Sequence, residues 1–185
     1  RVRHPRRASA DEGAYGAPFW LTYAANCTLM MAISLLFRYA DFVALLGGSE
    51  WHLGWIVGLG MVGSLLMRLF QGMGIDRYGS RQIWIWSTAV FAATCLAHLA
   101  VGRVDGPAIY VLRVLYNTSI AGVFGASITY ISRRAPVLRM AEVVGTLGTS
   151  GFIGMMCGTA LGDVLCGAGK PSREQVDHLF LGAAL

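Results

Sequence analysis

Polar side chains stand at helical spacing inside the apolar runs of this chain. Arg113 and Asn117 are four residues apart in "IYVLRVLYNTSIAG", and Thr22 and Asn26 are four apart in "WLTYAANC". A spacing of four places two side chains on the same face of a helix. Two amides and a guanidinium suit the binding of a hydrogen-bonding or anionic solute. These four residues are therefore the candidate substrate cavity.

Asp163 and His98 are the other titratable groups within apolar runs, and they are candidates for carrying a coupling proton. Each candidate also has a structural interpretation. In that interpretation, Asp163 bonds to water or pairs with Arg113 near the membrane interface, and His98 bonds to a backbone carbonyl. Arg113 itself either snorkels to the outer headgroups or bonds neighbouring carbonyls. Asn26 is then a contact between helices, worth under ~2 kcal/mol.

Catalytic and metal-binding patterns are missing from the sequence. It contains no GxSxG, HExxH or paired-histidine motif, and the four cysteines form no CxxC pair. We therefore predict that the protein is not an enzyme and that it holds no metal or cofactor. The net charge of +5 comes from arginines scattered in short gaps, not gathered on one soluble face, so we expect no nucleic-acid partner.

The elements that must position these residues follow from composition. With 55% hydrophobic and 14% charged residues, the chain is typical of a membrane protein. A bilayer core takes about 20 apolar residues per helix, and lipid leaves helices as the simplest spanning structure. The sequence predicts an all-α membrane protein, with a basic arm at 1–17 and a transmembrane bundle at 18–185. The spans are approximately 18–39, 51–71, 83–102, 108–132, 143–167 and a truncated sixth at 178–185.

The basic residues predict an orientation. With the N-terminus in the cytoplasm, nine arginines lie on the inner side: Arg1, Arg3, Arg6, Arg7, Arg77, Arg81, Arg133, Arg134 and Arg139. Four basic residues lie outside: Arg38, Arg103, Lys170 and Arg173. This bias follows the positive-inside rule. The arm is expected to be disordered, and it either touches anionic lipid or is a solvated tail.

The run "GMGIDRYGSRQ", residues 72–82, joins the second and third spans and is here called the elbow. We expect a tight turn in which Gly79 takes a positive φ. Gly72 and Gly74 would let the end of the second span approach a neighbour closely. Asp76 would cap the N-terminus of the third helix.

The elbow resembles the GxLaDRxGRR signature of the major facilitator superfamily at five positions: Gly72, Asp76, Arg77, Gly79 and Arg81. The resemblance implies that these residues form a latch, which helps to hold the two halves of a transporter together when it faces outward. Arg139 and Glu142, at the entry to the fifth span, are the expected latch partners. The alternative is that the charges only fix the topology.

The fifth span is rich in glycine at helical spacing. Its glycines are Gly145, Gly148, Gly151, Gly154, Gly158 and Gly162, and the last five fall within an arc of about 120° on one side of a helix, which suits close and sliding contact. The superfamily fold also implies an inverted repeat, in which spans one to three correspond to spans four to six.

The resemblance implies a fold and a function. The fold is the N-terminal six-helix half, cut within helix six, of a twelve-helix transporter. The function is secondary active transport of a small solute by alternating access, with or without a coupling proton or ion. The expected partners are the solute, the lipid bilayer and the C-terminal half. The expected location is the plasma (inner) membrane. A non-transporting receptor or assembly subunit on the same fold is the alternative.

Overall fold

The computed structural model describes residues 15–167, 169 and 171–185. Most of the predicted basic arm and Lys170 lie outside this part of the chain. Its seven α-helices are α1 (Ala17–Leu35), α2 (Tyr39–Leu45), α3 (Glu50–Tyr78), α4 (Ser80–His98), α5 (Pro107–Ser132), α6 (Met140–Cys166) and α7 (Arg173–Ala184). Short 3₁₀ turns, Leu36–Arg38 and Val137–Arg139, precede α2 and α6. The predicted all-α class is confirmed, and α1 with α2 form one broken span.

Four helical segments are long and apolar enough to cross a membrane: Ala17–Leu45, Glu50–Tyr78, Pro107–Ser132 and Val137–Cys166. The protein is an integral membrane protein. The other two predicted spans correspond to α4 and α7, which do not meet this criterion. The described α7 has only 12 residues, and α4 carries Ser87, Thr94 and His98 on its buried face.

Because successive spans run in opposite directions, the connections between them lie alternately at the two ends of the bundle. The first end holds the start of α1, the elbow between α3 and α4, and the connection from α5 to α6. The second end holds α2, the connection from α4 to α5, and the start of α7. A cluster of buried apolar side chains extends from mid-bundle to the second end, where Phe42 and Phe180 pack at 5.0 Å. A smaller cluster around Phe19 and Val143 lies at the first end.

Helix packing shows the symmetry expected of an inverted repeat. The most extensive contacts join α1 to α6, α3 to α5 and α4 to α5. In an inverted repeat, spans one, two and three (α1, α3 and α4) correspond to spans four, five and six (α5, α6 and α7). The α1–α6 pair therefore corresponds to the α5–α3 pair. The two pairs thus occupy the positions that the expected inverted repeat relates, and the repeat itself stays a prediction.

Glycines allow the close approach of α6 to α1. A Cβ at Gly154 would collide with the backbone carbonyl oxygen of Cys27, and one at Gly158 with that of Met31. Gly145 and Gly148, by contrast, have nothing within 4 Å of their Cβ positions. Only part of the predicted glycine face is thus in close helix contact within the described bundle.

Glycines also allow the close approach of α3 to α5. A Cβ at Gly60 of α3 would meet the Asn117 amide, and one at Gly63 would lie 2.9 Å from the backbone oxygen of Val114. Both helix pairs are therefore held at a separation that a methyl group would increase.

Substitution of Gly158 tests this packing. Gly158→Ala places a methyl group against the Met31 carbonyl, so α1 and α6 must separate. We expect the purified protein to lose about 1–3 kcal/mol of stability, measured by thermal unfolding in detergent. The matched variant Gly145→Ala adds its methyl group to open space and should unfold at or above the wild-type temperature. Equal unfolding temperatures for the two variants would contradict this account.

Candidate functional site

The elbow is more helical than the sequence predicted. Helix α3 continues to Tyr78 and α4 begins at Ser80, so Gly79 alone separates them. Gly79 has φ 85° and ψ 149°, and its N–H donates to the Ile75 carbonyl at 2.8 Å. A residue with a side chain would be strained at this φ. The positive φ expected at Gly79 is confirmed, and the turn is shorter than the run 72–82, because this one glycine is enough to redirect the chain.

Asp76 does not cap α4 as expected, because it lies in the last turn of α3. A carboxylate at the C-terminal end of a helix is disfavoured by the helix dipole and gains from a nearby cation. Arg133, just past the end of α5, donates from Nη2 to Asp76 Oδ1 at 3.1 Å. The side chains of Asp76 and Arg133 are 78% and 53% exposed, respectively. Such an exposed ion pair contributes about 0–1 kcal/mol and breaks readily.

The elbow glycines do not mediate the close helix contact expected of them. Nothing lies within 4 Å of a Cβ built at Gly72. Gly74 has only an ordinary contact at 3.4 Å, to Ile83 of the adjoining helix. Arg77 and Arg81 are exposed, and the Arg77 guanidinium lies 5.4 Å from the Tyr78 ring centroid. The α3 side of the elbow is therefore open surface in this bundle.

Arg139 and Glu142 form a second ionic cluster at the first end. Arg139 donates from Nε and Nη2 to the two Glu142 carboxylate oxygens, at 2.9 and 2.7 Å. The Tyr15 hydroxyl donates to the same carboxylate at 2.8 Å. These contacts tie α6 to the start of α1. In the described residues the elbow carboxylate pairs with Arg133 instead, and a role for Arg139 and Glu142 as latch partners stays a prediction.

Arg113 lies among aromatic rings near the second end. Its guanidinium carbon is 4.0 Å from the Tyr39 ring centroid and 4.9 Å from that of Tyr116. This geometry is a cation–π interaction with two rings. The buried Nε of Arg113 and the buried Nδ2 of Asn117 have no hydrogen-bond partner among the described residues. Helix α5 thus presents two unmatched donors one turn apart.

His98 is completely buried at the end of α4. Its Nδ1 lies 2.6 Å from the Thr94 carbonyl, so Nδ1 carries a proton that it donates. Nε2 is 3.5 Å from the Tyr39 hydroxyl, and the ring stacks on Phe180 at 5.0 Å. The Thr94 carbonyl is thus the backbone hydrogen-bond partner that the structural interpretation of His98 requires. Asp163 is exposed in the last part of α6. Proton coupling by His98 or Asp163 stays a prediction.

Asn26 contacts α6 rather than Asn117. Its Nδ2 donates to Ser150 Oγ at 2.8 Å, whereas Asn117 packs against Gly60 of α3. These two members of the candidate substrate cavity are therefore directed to different helices, Asn26 to α6 and Asn117 to α3. Thr22, one turn before Asn26, is buried and donates to the Pro18 carbonyl of its own helix at 2.8 Å. Its role in a cavity stays a prediction.

Asn26 borders a groove of about 450 Å³ between α1, α5 and α6. The groove also carries Met30, Phe124, Phe152 and Met155. The Asn26 Oδ1 is buried and has no hydrogen-bond partner among the described residues. The described lining of the groove is thus almost entirely apolar.

Sequence reasoning missed several contributors to these sites. In the sequence Arg133 is only a topology signal, and no pattern distinguishes Tyr39 or Ser150. Gln71, at the edge of the elbow, is buried and donates to the Gly122 carbonyl at 2.8 Å. Its position as a lone amide in an apolar run was the available signal, because a buried amide in lipid needs partners.

Comparison with known proteins gives a family match. A family model described as Major Facilitator Superfamily matches residues 19–172. This range begins within α1 and ends just before α7, so it includes the elbow and every candidate site residue. Neither the curated proteins nor the solved structures gave a match.

The unmatched donor of Asn117 leads to a stability prediction. Asn117→Leu removes a buried N–H donor without a partner and keeps the branching of the side chain, so we expect stability to stay equal or to rise by up to about 1–3 kcal/mol. Asn26→Leu removes an amide that is bonded to Ser150, and it should lower stability. Thermal unfolding in detergent measures both. Destabilisation by Asn117→Leu as large as that by Asn26→Leu would show that the Asn117 donor is satisfied in the membrane.

Proposed function

Because the chain belongs to the Major Facilitator Superfamily and is a transporter of that superfamily, we propose that it moves a small solute by alternating access. In this proposal the described bundle is the N-terminal half of a twelve-helix carrier. Each half presents polar residues to a shared midplane site and rocks against the other half. The observation that carries the proposal is the exposed Asp76–Arg133 ion pair beside the single-residue break at Gly79.

The ion pair has the properties that a latch needs. Its energy of about 0–1 kcal/mol is small enough to be exchanged for a competing contact during a transport cycle. Its rigid setting, at the ends of α3 and α5, keeps the charges in place while partners change. Arg77 and Arg81 stand exposed nearby, available to carboxylates of another domain. The proposed latch is Gly72, Asp76, Arg77, Gly79 and Arg81, with Arg133 as the partner within this bundle.

The exposed face of α3 is the proposed contact surface for the second half. Helix α3 is less buried than α1 or α5. Its apolar side chains Leu65, Leu69 and Met73 are 58%, 65% and 62% exposed. They run toward the open surface at Gly72, so one helix face leads from mid-membrane to the latch. Contact with a second bundle along this face would couple its movement to the elbow.

We place the first end in the cytoplasm and the protein in the plasma (inner) membrane. Arg77, Arg81, Arg133, Arg134 and Arg139 all lie at the first end, as the positive-inside rule requires of a cytoplasmic surface. Reporter fusions provide the test. A reporter joined after residue 79 should be active only if it functions in the cytoplasm, and one joined after residue 105 should show the opposite. A reversed pattern would overturn the orientation and the latch.

Substitution of Asp76 tests the proposed function. Asp76→Asn removes the charge that holds Arg133, so uptake of solutes into proteoliposomes should fall several-fold while the amount of protein in the membrane stays the same. Arg133→Asp should have a similar effect. The double variant Asp76→Arg with Arg133→Asp restores an opposite-charge pair, and we expect it to recover part of the lost transport.

The matched control is Asp105→Asn. Asp105 is also an exposed aspartate with one basic neighbour, His52, at 3.6 Å, but it lies at the second end. Its variant should transport normally. Normal uptake by Asp76→Asn would remove the latch proposal. A protein that inserts correctly but transports no member of a broad solute panel would favour a receptor or assembly role.

A further inference from the structure

We propose that Arg68 of α3 forms an ion pair, near the middle of the membrane, with a carboxylate of the second half of the carrier. This inference rests on the proposed transport function and names the chemistry by which the two halves contact each other. Arg68 lies deep in its span, it has no partner among the described residues, and it stands on an exposed flank of α3 that fits another helix.

Arg68 lies deeper in the membrane than its place in the predicted span suggests. The predicted span 51–71 ends less than one turn beyond Arg68, whereas α3 continues to Tyr78. A rise of about 1.5 Å per residue places Arg68 about 15 Å from Tyr78 and about 20 Å from Trp55 along the helix axis. Tyr78 and Trp55 are exposed aromatic residues of the kind that mark the two membrane interfaces. Arg68 therefore lies near the middle of a bilayer core of about 30 Å.

Arg68 has no partner within its own bundle. It is exposed, and it makes no hydrogen bond or ion pair with any residue that the structure describes. A charge near the bilayer centre is costly unless it faces protein or water and meets an opposite charge. The nearest headgroups lie about 15 Å away along α3, well beyond the length of an arginine side chain, so Arg68 cannot reach them as a residue at the end of a span does. Its partner therefore comes from outside this bundle.

The flank of α3 around Arg68 suits contact with another helix. Five exposed residues fall within an arc of about 60° on this flank: Gly54, Met61, Leu65, Arg68 and Gly72. The arc is centred about 110° round the helix from the side that packs against α5. Nothing lies within 4 Å of a Cβ built at Gly54 or at Gly72, so another helix can approach closely at both positions. Arg68 supplies the charge of an otherwise apolar flank.

One cation on an apolar flank favours a carboxylate on a packed helix over an anion in an open aqueous cavity. Met61 and Leu65 are 60% and 58% exposed, and an aqueous cavity would leave their apolar surface in water. A packed helix covers them, and an Asp or Glu on that helix satisfies Arg68 in the same contact. A guanidinium and a carboxylate can form two parallel hydrogen bonds, which fixes how the two helices align. Because the halves rock around the midplane, this pair can persist while the elbow exchanges partners.

Substitutions at position 68 test the ion pair by solute uptake into proteoliposomes. Arg68→Gln leaves a buried carboxylate without its cation, so uptake should fall about tenfold or more. Arg68→Lys keeps the charge but not the paired hydrogen bonds, and it should lose no more than about threefold. The matched control is Arg103→Gln, because Arg103 is also exposed and unpaired among the described residues but lies between α4 and α5. This control should transport as the wild type does, and normal uptake by Arg68→Gln would overturn the inference.

Cross-linking identifies the partner even if Arg68→Gln fails to insert. Dicyclohexylcarbodiimide activates a carboxylate within the membrane, and an amine in contact with it then forms an amide bond. In full-length Arg68→Lys, peptide mass spectrometry should find residue 68 joined to an Asp or Glu of the second half. Phe70→Lys places an amine on nearly the opposite side of α3, at a position that is 59% exposed, and should give no such product. The wild type, which has no amine at position 68, should give none either.

The outcomes separate this inference from the proposed transport function. Absence of a cross-link in Arg68→Lys would overturn the ion pair, and so would a cross-link to a carboxylate of the described bundle or to a second copy of the chain. In each case a loss of uptake in Asp76→Asn would still support the transporter. Conversely, a cross-link to the second half together with normal uptake by Asp76→Asn would keep the ion pair and remove the latch.

Discussion

Lipid offers no hydrogen bonds, so every polar atom buried in this bundle must find its partner within the protein or in a ligand. Most side chains meet this constraint within their own helix. The hydroxyls of Ser34, Thr94 and Ser127 each donate to a carbonyl three or four residues earlier. Gln71 reaches instead across to α5. Polar groups satisfied in this way add little to recognition, because their bonding capacity toward a ligand is used up.

Among the described residues, the buried side-chain atoms without a hydrogen-bond partner lie on two helices. Three buried side-chain atoms of the described residues lack a partner, and they belong to Asn26 on α1 and to Arg113 and Asn117 on α5. Helices α1 and α5 are the first members of the two repeats, and each is closely packed by a glycine-bearing helix of the other repeat. The close contacts at Gly60 and Gly158 therefore lie on the same faces of α5 and α1 as these atoms, because Gly60 meets the Asn117 amide and Asn26 bonds to α6.

Sequence reasoning predicted the elements well and their mutual contacts poorly. Hydrophobic run lengths were enough for the all-α class, since they depend only on the thickness of the bilayer. The elbow was expected to be a longer turn because glycines and charges usually mark turns, yet residues 72–78 keep their helical hydrogen bonds and Gly79 alone breaks the helix. The partner of Asp76 was also unpredictable, because Arg133 is brought to it by the packing of α5 on α3. Likewise, spacing showed that Thr22 and Asn26 share a face, but the rotation of α1 toward α6 decides that Asn26 meets Ser150.

The two ends of the bundle are held by interactions of different strength. At the second end, Arg38 donates to the Gly167 and Gly169 carbonyls, and Arg173 donates to those of Leu99 and Val101. These bonds tie loops to helices beside the buried ring stack of His98 and Phe180. At the first end, the Asp76–Arg133 pair is exposed and can exchange partners at a cost of about 0–1 kcal/mol. The Asp76–Arg133 pair is thus the weaker of these polar ties, while the helices of the first end are also packed by the apolar cluster around Phe19 and Val143.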